Sequence, residues 1–544
     1  MSCMHVSLTS NPRLAGREDE QFDVVVVGGG IIGAGIARDA ALRGLRVALF
    51  EKRDFGSGTT AGSTRLIHGG LRYLEMLDFR LVRMDLRERE TLLCIAPHLV
   101  KPLEFIMPFY RSNILYRSKI KIGMMLYDLL SYDKSLPRHR FLDSEELKKI
   151  EPNLRQQGLQ GAAVYYDAQA NSPERLCLEN IIDAFDHGAQ TFNYAEVTGA
   201  LRTGQGIGGV RVRDSLCNDG LEFSIKGRVV VNASGAWFDR VAGKLTDPAK
   251  PPQIRTTKGI HITCPSVAHR AVVVFSAVDS RLMFVIPWLG YSWIGTTDTD
   301  FTADPATVHA TSTDVDYLLR SVATYFPTLD SSRIFFSNAG VRALVREEGW
   351  ESSVSRSHQI ADGARSGAEN LVSVLGGKIT GYRAIAEEAV DLVCAKLGIN
   401  TPCLTASNPL PGARNDLESS EPSGRGLKIE TIDHLHNLYG KRAREVIQLA
   451  ASFEPLRKPL SPQAPDIAAQ VVFAARTEQC SRLVDFLLRR TLLGFSQDQG
   501  QSAAAFVASL LAEELGWSPE RRDAELRLYH EHIATTQAFR NTSE

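Results

Sequence analysis

Three groups of residues in this chain have types and spacings that could do chemistry. Arg342 follows a small-residue turn in an otherwise apolar segment, AGVRALV. Lys378 comes directly after Gly376 and Gly377 and opens a helical stretch, where the positive end of a helix dipole would also favour an anion. Arg356, in VSRSH, lies between these two cations, while Arg255, Lys258 and His261 are spaced through IRTTKGIHI. A planar guanidinium fork and an ammonium point charge together suit a phosphate group. His261 suits proton transfer, because an unperturbed imidazole titrates near neutrality. Taken singly, an arginine here is better read as a surface ion pair, and a satisfied strand histidine is the competing reading of His261. The third group is Thr59–Glu75, TTAGSTRLIHGGLRYLE, in which Thr59, Thr60, Ser63 and Thr64 precede Arg65, His68, Gly69, Gly70 and Arg72. Paired glycines let the backbone approach a flat ring, and hydroxyls and amides can bind a pyrophosphate or a ring edge. A structural glycine turn with exposed cations is the competing reading.

Such residues need a scaffold, and Phe22–Glu51, FDVVVVGGGIIGAGIARDAALRGLRVALFE, supplies its core. An apolar run, Val24–Val27, enters Gly28–Gly29–Gly30. An alanine-rich helical segment and a second apolar run ending in Glu51 follow. Gly28, Gly30 and Gly33 fit G-x-G-x-x-G between a predicted strand and a predicted helix. The first glycine allows a tight turn, the second lets the backbone approach a pyrophosphate, and the third lets helix pack on strand. Glu51, 23 residues past Gly28, stands where an acid can bind a ribose hydroxyl and disfavours a 2′-phosphate, hence NADP. The motif alone leaves NAD and FAD both open.

At 544 residues the chain is expected to hold two or three domains. A net charge of −1 gives no general pull toward nucleic acid. The eight cysteines form no C-x-x-C pair, which argues against a zinc site and suits a reducing compartment. Residues 1–21 are polar and irregular and read as a disordered leader. No run of 18 apolar residues predicts a membrane span. Further strand–turn units occur at Val229–Trp237 and Leu371–Gly377, the latter followed by a helix, Tyr382–Leu397. They predict one parallel sheet interrupted by insertions. Val210–Val212, Arg255–Thr263, Val272–Phe275, Leu282–Trp288 and Ser292–Thr297 read as strands of a second, mostly antiparallel sheet. Asn408–Gly426 reads as a linker, and Thr431–Leu515 as helical. Phe109–Tyr132 mixes Arg111, Arg117, Lys119 and Lys121 with Tyr110, Ile114, Leu115, Met124, Met125 and Tyr127. That mixture suits either a bilayer interface or a packed helix with a solvated basic face.

The nucleotide motif, RLIHGGLRYLE, IPWLGYSWIGTTDTDF (Ile286–Phe301), AGVRALV (Ala339–Val345) and GGKITGYRAIAE (Gly376–Glu387) occur in this order and at suitable separations. Together they resemble the FAD-dependent glycerol-3-phosphate dehydrogenase family, within the amine- and hydroxy-acid-oxidising flavoproteins. The resemblance implies an α/β fold: a Rossmann-like FAD-binding domain interleaved with a mostly antiparallel β substrate cap, plus an all-α C-terminal domain. The FAD-binding parts would be about 22–105, 160–250 and 335–400, the cap about 106–159 and 251–334, and the helical domain 427–544. FAD would contact Gly28, Gly30, Gly33, Glu51, Thr59, Thr60, Ser63, His68, Gly69, Gly70, Gly235, Thr297, Asp298, Gly376, Gly377, Lys378 and Thr380. His261, Arg342 and Lys378 would be catalytic. Arg356, Arg72, Lys258 and Thr380 would bind substrate. No metal is expected. The implied reaction is oxidation of sn-glycerol 3-phosphate to dihydroxyacetone phosphate, with electrons passing to ubiquinone or menaquinone. The expected setting is the cytoplasmic face of the cell membrane, bound peripherally, with a homodimer as a further option. The runner-up readings are oxidation of a 2-hydroxy acid or amino acid, and a flavin-binding membrane-surface protein whose site has drifted. Three positions depart from the family's usual pattern: Arg65 for Lys, Ala343 for Pro, and Gly381 for the second Thr of G-G-K-L-T-T-Y-R. Gly381 is expected to remove a hydroxyl contact to flavin or substrate.

Overall fold

The computed structural model describes residues 14, 16–17, 20–75, 77–110, 114–204, 206–216, 221–246, 253–346, 358–414, 424 and 426–541; the side chains of 72, 75, 114–117 and 365–366 lie outside the description. Among the described residues two sheets organise the chain.

The first sheet is built on the valine run. Gln21–Val27 pairs in parallel with Val47–Phe50 on one side and Glu222–Asn232 on the other. Parallel strands Leu371–Leu375 and Gln190–Phe192 extend it outward. Both faces are covered, which is why the strand is continuously apolar rather than alternating. Val24 and Val26 join the core beneath the helices Ile31–Leu42 and Tyr382–Leu397, and Val25 and Val27 join the core on the opposite face. Chain order reverses about Gln21–Val27, the point at which an open α/β sheet forms a crevice at its carboxyl ends. Gly28, Ala233–Gly235 and Gly376–Gly377 all lie just beyond those ends.

The second sheet is antiparallel except where Ala271–Phe275 runs parallel to Val100–Phe109. Its central ladder pairs Ile254–Pro265 with Phe336–Val345 and with Tyr291–Gly295.

Sheet membership differs from the expected boundaries. Val210–Val212 belongs to an antiparallel extension of the first sheet, through Gly206–Asp214 and Glu222–Asn232. Conversely Leu66–Ile67, Val100–Phe109, Gly161–Ala170 and Phe336–Val345 belong to the second sheet. Strand pairing there spans both sides of the expected breaks at 105, 159 and 334, and a local apolar pattern does not encode which distant strand completes a ladder. Part of the expected linker is anchored: Leu410 is buried, Gly412 N donates to Glu179 at 2.8 Å, and Arg414 pairs with Asp183. Residues 415–423 and 425 lie outside the described residues, as do 1–13, 15 and 18–19 of the expected leader. Glu20 is bonded by Gln190 and Gln21 already belongs to the first strand.

The C-terminal region is helical, with Ile429–Tyr439, Ala443–Ser452, Ala468–Thr477, Gln501–Leu515 and Pro519–Thr536 packed round their own apolar core. It is tied to the first sheet by buried charge. Asp54 accepts from Arg489 Nε at 2.5 Å and from Arg490 at 2.7 and 3.0 Å, and Arg175 pairs with Glu478 at 2.7 Å. Burial alone would raise the Asp54 pKa, but Arg490 and Arg489 outweigh it and hold the carboxyl well below its usual range.

Candidate active site

A cavity of about 480 Å³ runs along the carboxyl ends of the first sheet and under the edge of the second. Its floor is the glycine turn. A Cβ on Gly33 would lie 1.9 Å from Gly28 O, so glycine there is a packing necessity between helix and strand. Gly28 and Gly30 line the cavity, and a Cβ on Gly30 would meet nothing closer than Thr60 Oγ1 at 3.6 Å, leaving that backbone open to a ligand. The Ile31–Leu42 helix points its first turn at the same place, with Ile31 N capped by Thr60 Oγ1 at 3.1 Å.

Glu51 closes one end. Its half-buried carboxylate accepts from Gly29 N at 2.8 Å and Arg53 N at 2.9 Å; desolvation raises its pKa against those two bonds. Around it stand Trp237, whose ring centroid lies 4.1 Å from Lys52 Nζ, and Lys244 and Val241.

The other end holds His68, Tyr73, Arg342, Lys378 and Thr380. Arg342 reaches it from Phe336–Val345. Its guanidinium is braced by Thr296 Oγ1 at 2.8 Å, Thr297 O at 3.1 Å and Asp298 Oδ1 at 3.3 Å. Lys378 Nζ pairs with Asp85 at 2.6 Å and lies 3.7 Å from the Tyr73 ring centroid. Thr380 Oγ1 accepts from His68 N at 3.2 Å.

His261 lies one layer behind the lining. It is buried, stacked on Trp293, and its Nε2 is 3.1 Å from the hydroxyl of Thr64, which does line the cavity. Burial, reinforced by Arg342 and Arg65, pushes the imidazole well below its ordinary pKa, so it is neutral.

Thr59, Thr60, Ser63 and Gly235 line the cavity, and Gly376 and Gly377 do so beside Lys378. Several expected residues stand elsewhere. Lys258 is bound to Asp314 at 2.6 Å: on a strand, residues 258 and 261 point to opposite faces, and the Lys258 face packs on the Ser312–Val322 helix. Thr297 and Asp298 sit behind Arg342 as its props. Gly69 and Gly70 do not line the cavity; a Cβ on Gly69 would strike Leu86 and Tyr127, and one on Gly70 would strike Tyr73. Their close approach is to protein. Arg65 is fully buried against Glu174 at 2.8 Å, with its guanidinium over Trp288 and Phe495. Arg356 and the side chain of Arg72 lie outside the described residues. Tyr73, Asp85, Lys52 and Trp237 were not marked by sequence, because nothing in their local spacing distinguishes them from packing residues.

Comparison with known proteins fits this geometry. The family model described as FAD dependent oxidoreductase matches residues 23–391, and the C-terminal domain of alpha-glycerophosphate oxidase matches residues 403–522. A glycerol-3-phosphate dehydrogenase from Synechocystis is 40% identical over 95% of this chain and 97% of its own length. The chain belongs to the FAD-dependent glycerol-3-phosphate dehydrogenase family. A second member, from Mycobacterium leprae, is 37% identical over 94% of this chain and 88% of its own. The crystal structure of the glycerol-3-phosphate dehydrogenase from Bacillus halodurans, complexed with FAD, superposes with a TM-score of 0.79, 28% identity and 97% coverage of both chains. FAD is therefore the cofactor of this family member, and the cavity suits it. Its lining includes an acid, a glycine turn at a helix N-terminus, and a cation with a hydroxyl, the kinds of group that an extended dinucleotide meets.

Proposed function

We propose that the protein oxidises sn-glycerol 3-phosphate to dihydroxyacetone phosphate and passes the electrons to ubiquinone or menaquinone at the cytoplasmic face of the cell membrane. The observation that carries this reading is the braced Arg342, which shares the far end of the dinucleotide cavity with Lys378. Two cationic side chains at one end, held in place by Asp298 and Asp85, suit an anionic substrate. The match of the tail to an alpha-glycerophosphate oxidase domain favours a glycerol phosphate over a 2-hydroxy acid or amino acid.

Bound FAD supplies the two-electron acceptor. Glu51 would hold the ribose, Gly28–Gly30 and Thr60 the diphosphate, and Lys378 and Thr380 the pyrimidine edge. Arg342 would orient the substrate, with Arg356 and Arg72 as phosphate ligands. Thr64 stands between the cavity and His261, so the C2 hydroxyl proton would pass to Thr64 while Thr64 gives its own to His261 Nε2. An anion docked on Arg342 offsets one of the charges that depress His261, so the base strengthens as substrate binds.

Membrane contact is supported by the Ile114–Leu130 helix. It buries Met124 and Tyr127 but leaves Ile122, Met125 and Leu129 64–66% exposed. Tyr132, Leu77 and Phe79 are exposed near it, and Lys121 is exposed on the helix next to Ile122. Such a stripe suits shallow insertion into an anionic interface. No helix among the described residues is long and apolar enough to cross a membrane.

The test is an anaerobic absorbance spectrum of the purified protein. Oxidised-flavin bands that bleach on adding glycerol 3-phosphate, and return with a quinone analogue, support the proposal. Bands that stay oxidised overturn the substrate, and bands that return only with oxygen overturn the acceptor.

A further inference from the structure

Asp85 is fully buried on the Phe79–Ile95 helix. One carboxylate oxygen, Oδ2, accepts from Lys378 Nζ, while the other, Oδ1, accepts from nothing. A buried oxygen without a donor is costly, and the reason for this one is visible. Gly381 faces it: a Cβ there would lie 3.6 Å from Oδ1, with only the flexible end of Met84, Cε at 3.2 Å, standing closer. Gly381 has φ −90°, which any residue adopts, so the backbone does not demand glycine. The nearest atoms to a Cβ there belong to Met84, Asp85 and Ile385, none of which lines the cavity, so the contact that Gly381 removes is one to this carboxylate.

We propose that Asp85 is a positioning residue that fixes the Lys378 ammonium at the cavity wall, and that Gly381 leaves its carboxylate free to take up a proton, making the Asp85–Lys378 pair a proton-linked charge beside the flavin. This rests on the reading that Lys378 faces the flavin.

The surroundings set the sign. Burial raises the Asp85 pKa to about 6, Lys378 opposes the rise, and Glu88 and Asp167 add to it. Both of those carboxylates are themselves paired: Glu88 with Arg383 at 2.6 Å, and Asp167 with Arg89 at 2.6 Å and with the Tyr127 hydroxyl at 2.8 Å. Tyr73 presents its ring face to Lys378. Above about pH 6 the pair is neutral overall; below it Asp85 is protonated and Lys378 stands as an uncompensated cation. A cation there favours the electron-rich, reduced cofactor.

The experiment uses the FAD-loaded protein from about pH 5 to about pH 8. It follows the infrared carbonyl band of a protonated carboxylic acid, assigned by its loss in Asp85→Asn, together with the flavin midpoint potential. The band should titrate near pH 6. Gly381→Ser, which gives Oδ1 a donor, should move that titration down by about one unit. The potential of Asp85→Asn, which keeps Lys378 uncompensated, should exceed wild type at the alkaline end and converge with it at the acid end. Absence of a titrating band overturns the inference and leaves the dehydrogenase assignment standing. A band that titrates while both variants leave the potential unmoved overturns the placement of Lys378 at the flavin.

Discussion

Arg342 runs over the bare α-carbon of Gly259: a Cβ on Gly259 would lie 2.2 Å from Arg342 Nη2. The two residues occupy paired antiparallel strands, with Gly259 opposite Gly340 and Arg342 opposite Thr257. The guanidinium therefore crosses Gly259 to reach Thr296 and Asp298. Gly259→Ala should displace it by about an ångström and lower kcat/KM for glycerol 3-phosphate about 10²-fold, with circular dichroism unchanged. Unaltered steady-state kinetics in a folded variant would take Arg342 out of substrate orientation.

If Thr64 and His261 form one proton path, they should fail as one. Thr64→Val and His261→Gln are each expected to lower kcat about 10²-fold or more, and the double variant to be no slower than the worse single. Pre-steady-state flavin reduction would measure this. Multiplicative losses would show that the two side chains act independently.

Asp54 should matter for stability more than for chemistry. Its depressed pKa contributes stability that is present above the unfolded value of 3.8 and is lost as pH falls through the lower folded value. Asp54→Asn leaves Arg490 buried with no carboxylate partner of its own and should cost about 3–5 kcal/mol. A lowered urea midpoint at neutral pH checks this, as does loss of the difference from wild type in strong acid.

The exposed stripe on Ile114–Leu130 makes a separate prediction. Replacing Ile122 and Met125 together by Asp should abolish binding to anionic phospholipid vesicles, measured by co-sedimentation, while turnover with a soluble acceptor persists. Vesicle binding equal to wild type would move the membrane contact elsewhere.

The dinucleotide end of the site was legible because its parts are local. Gly28, Gly30, Gly33 and Glu51 lie within one strand–turn–helix–strand unit, where spacing determines geometry. Arg342 and Lys378 were legible as cations in apolar company. Which way a distant side chain faces was not. Lys258 and His261 share one strand, yet strand parity sends the first to Asp314 and the second toward Thr64. Gly69 and Gly70 signalled a close approach correctly in kind, but what approaches is Leu86, Tyr127 and Tyr73, contributed partly by a helix more than fifty residues on. Asp85 carried no signal, since its meaning depends on Lys378, 293 residues later.

The buried anchor at Asp54 bears on how the protein is made. Asp54 lies three residues beyond Glu51, on the loop that leads into the cofactor cradle, and its arginine partners lie 435 and 436 residues further along the chain. Until those residues have left the ribosome, the Asp54 carboxylate has no counter-charge beside which it can be buried, so this loop reaches its native packing only after the helical tail has been made.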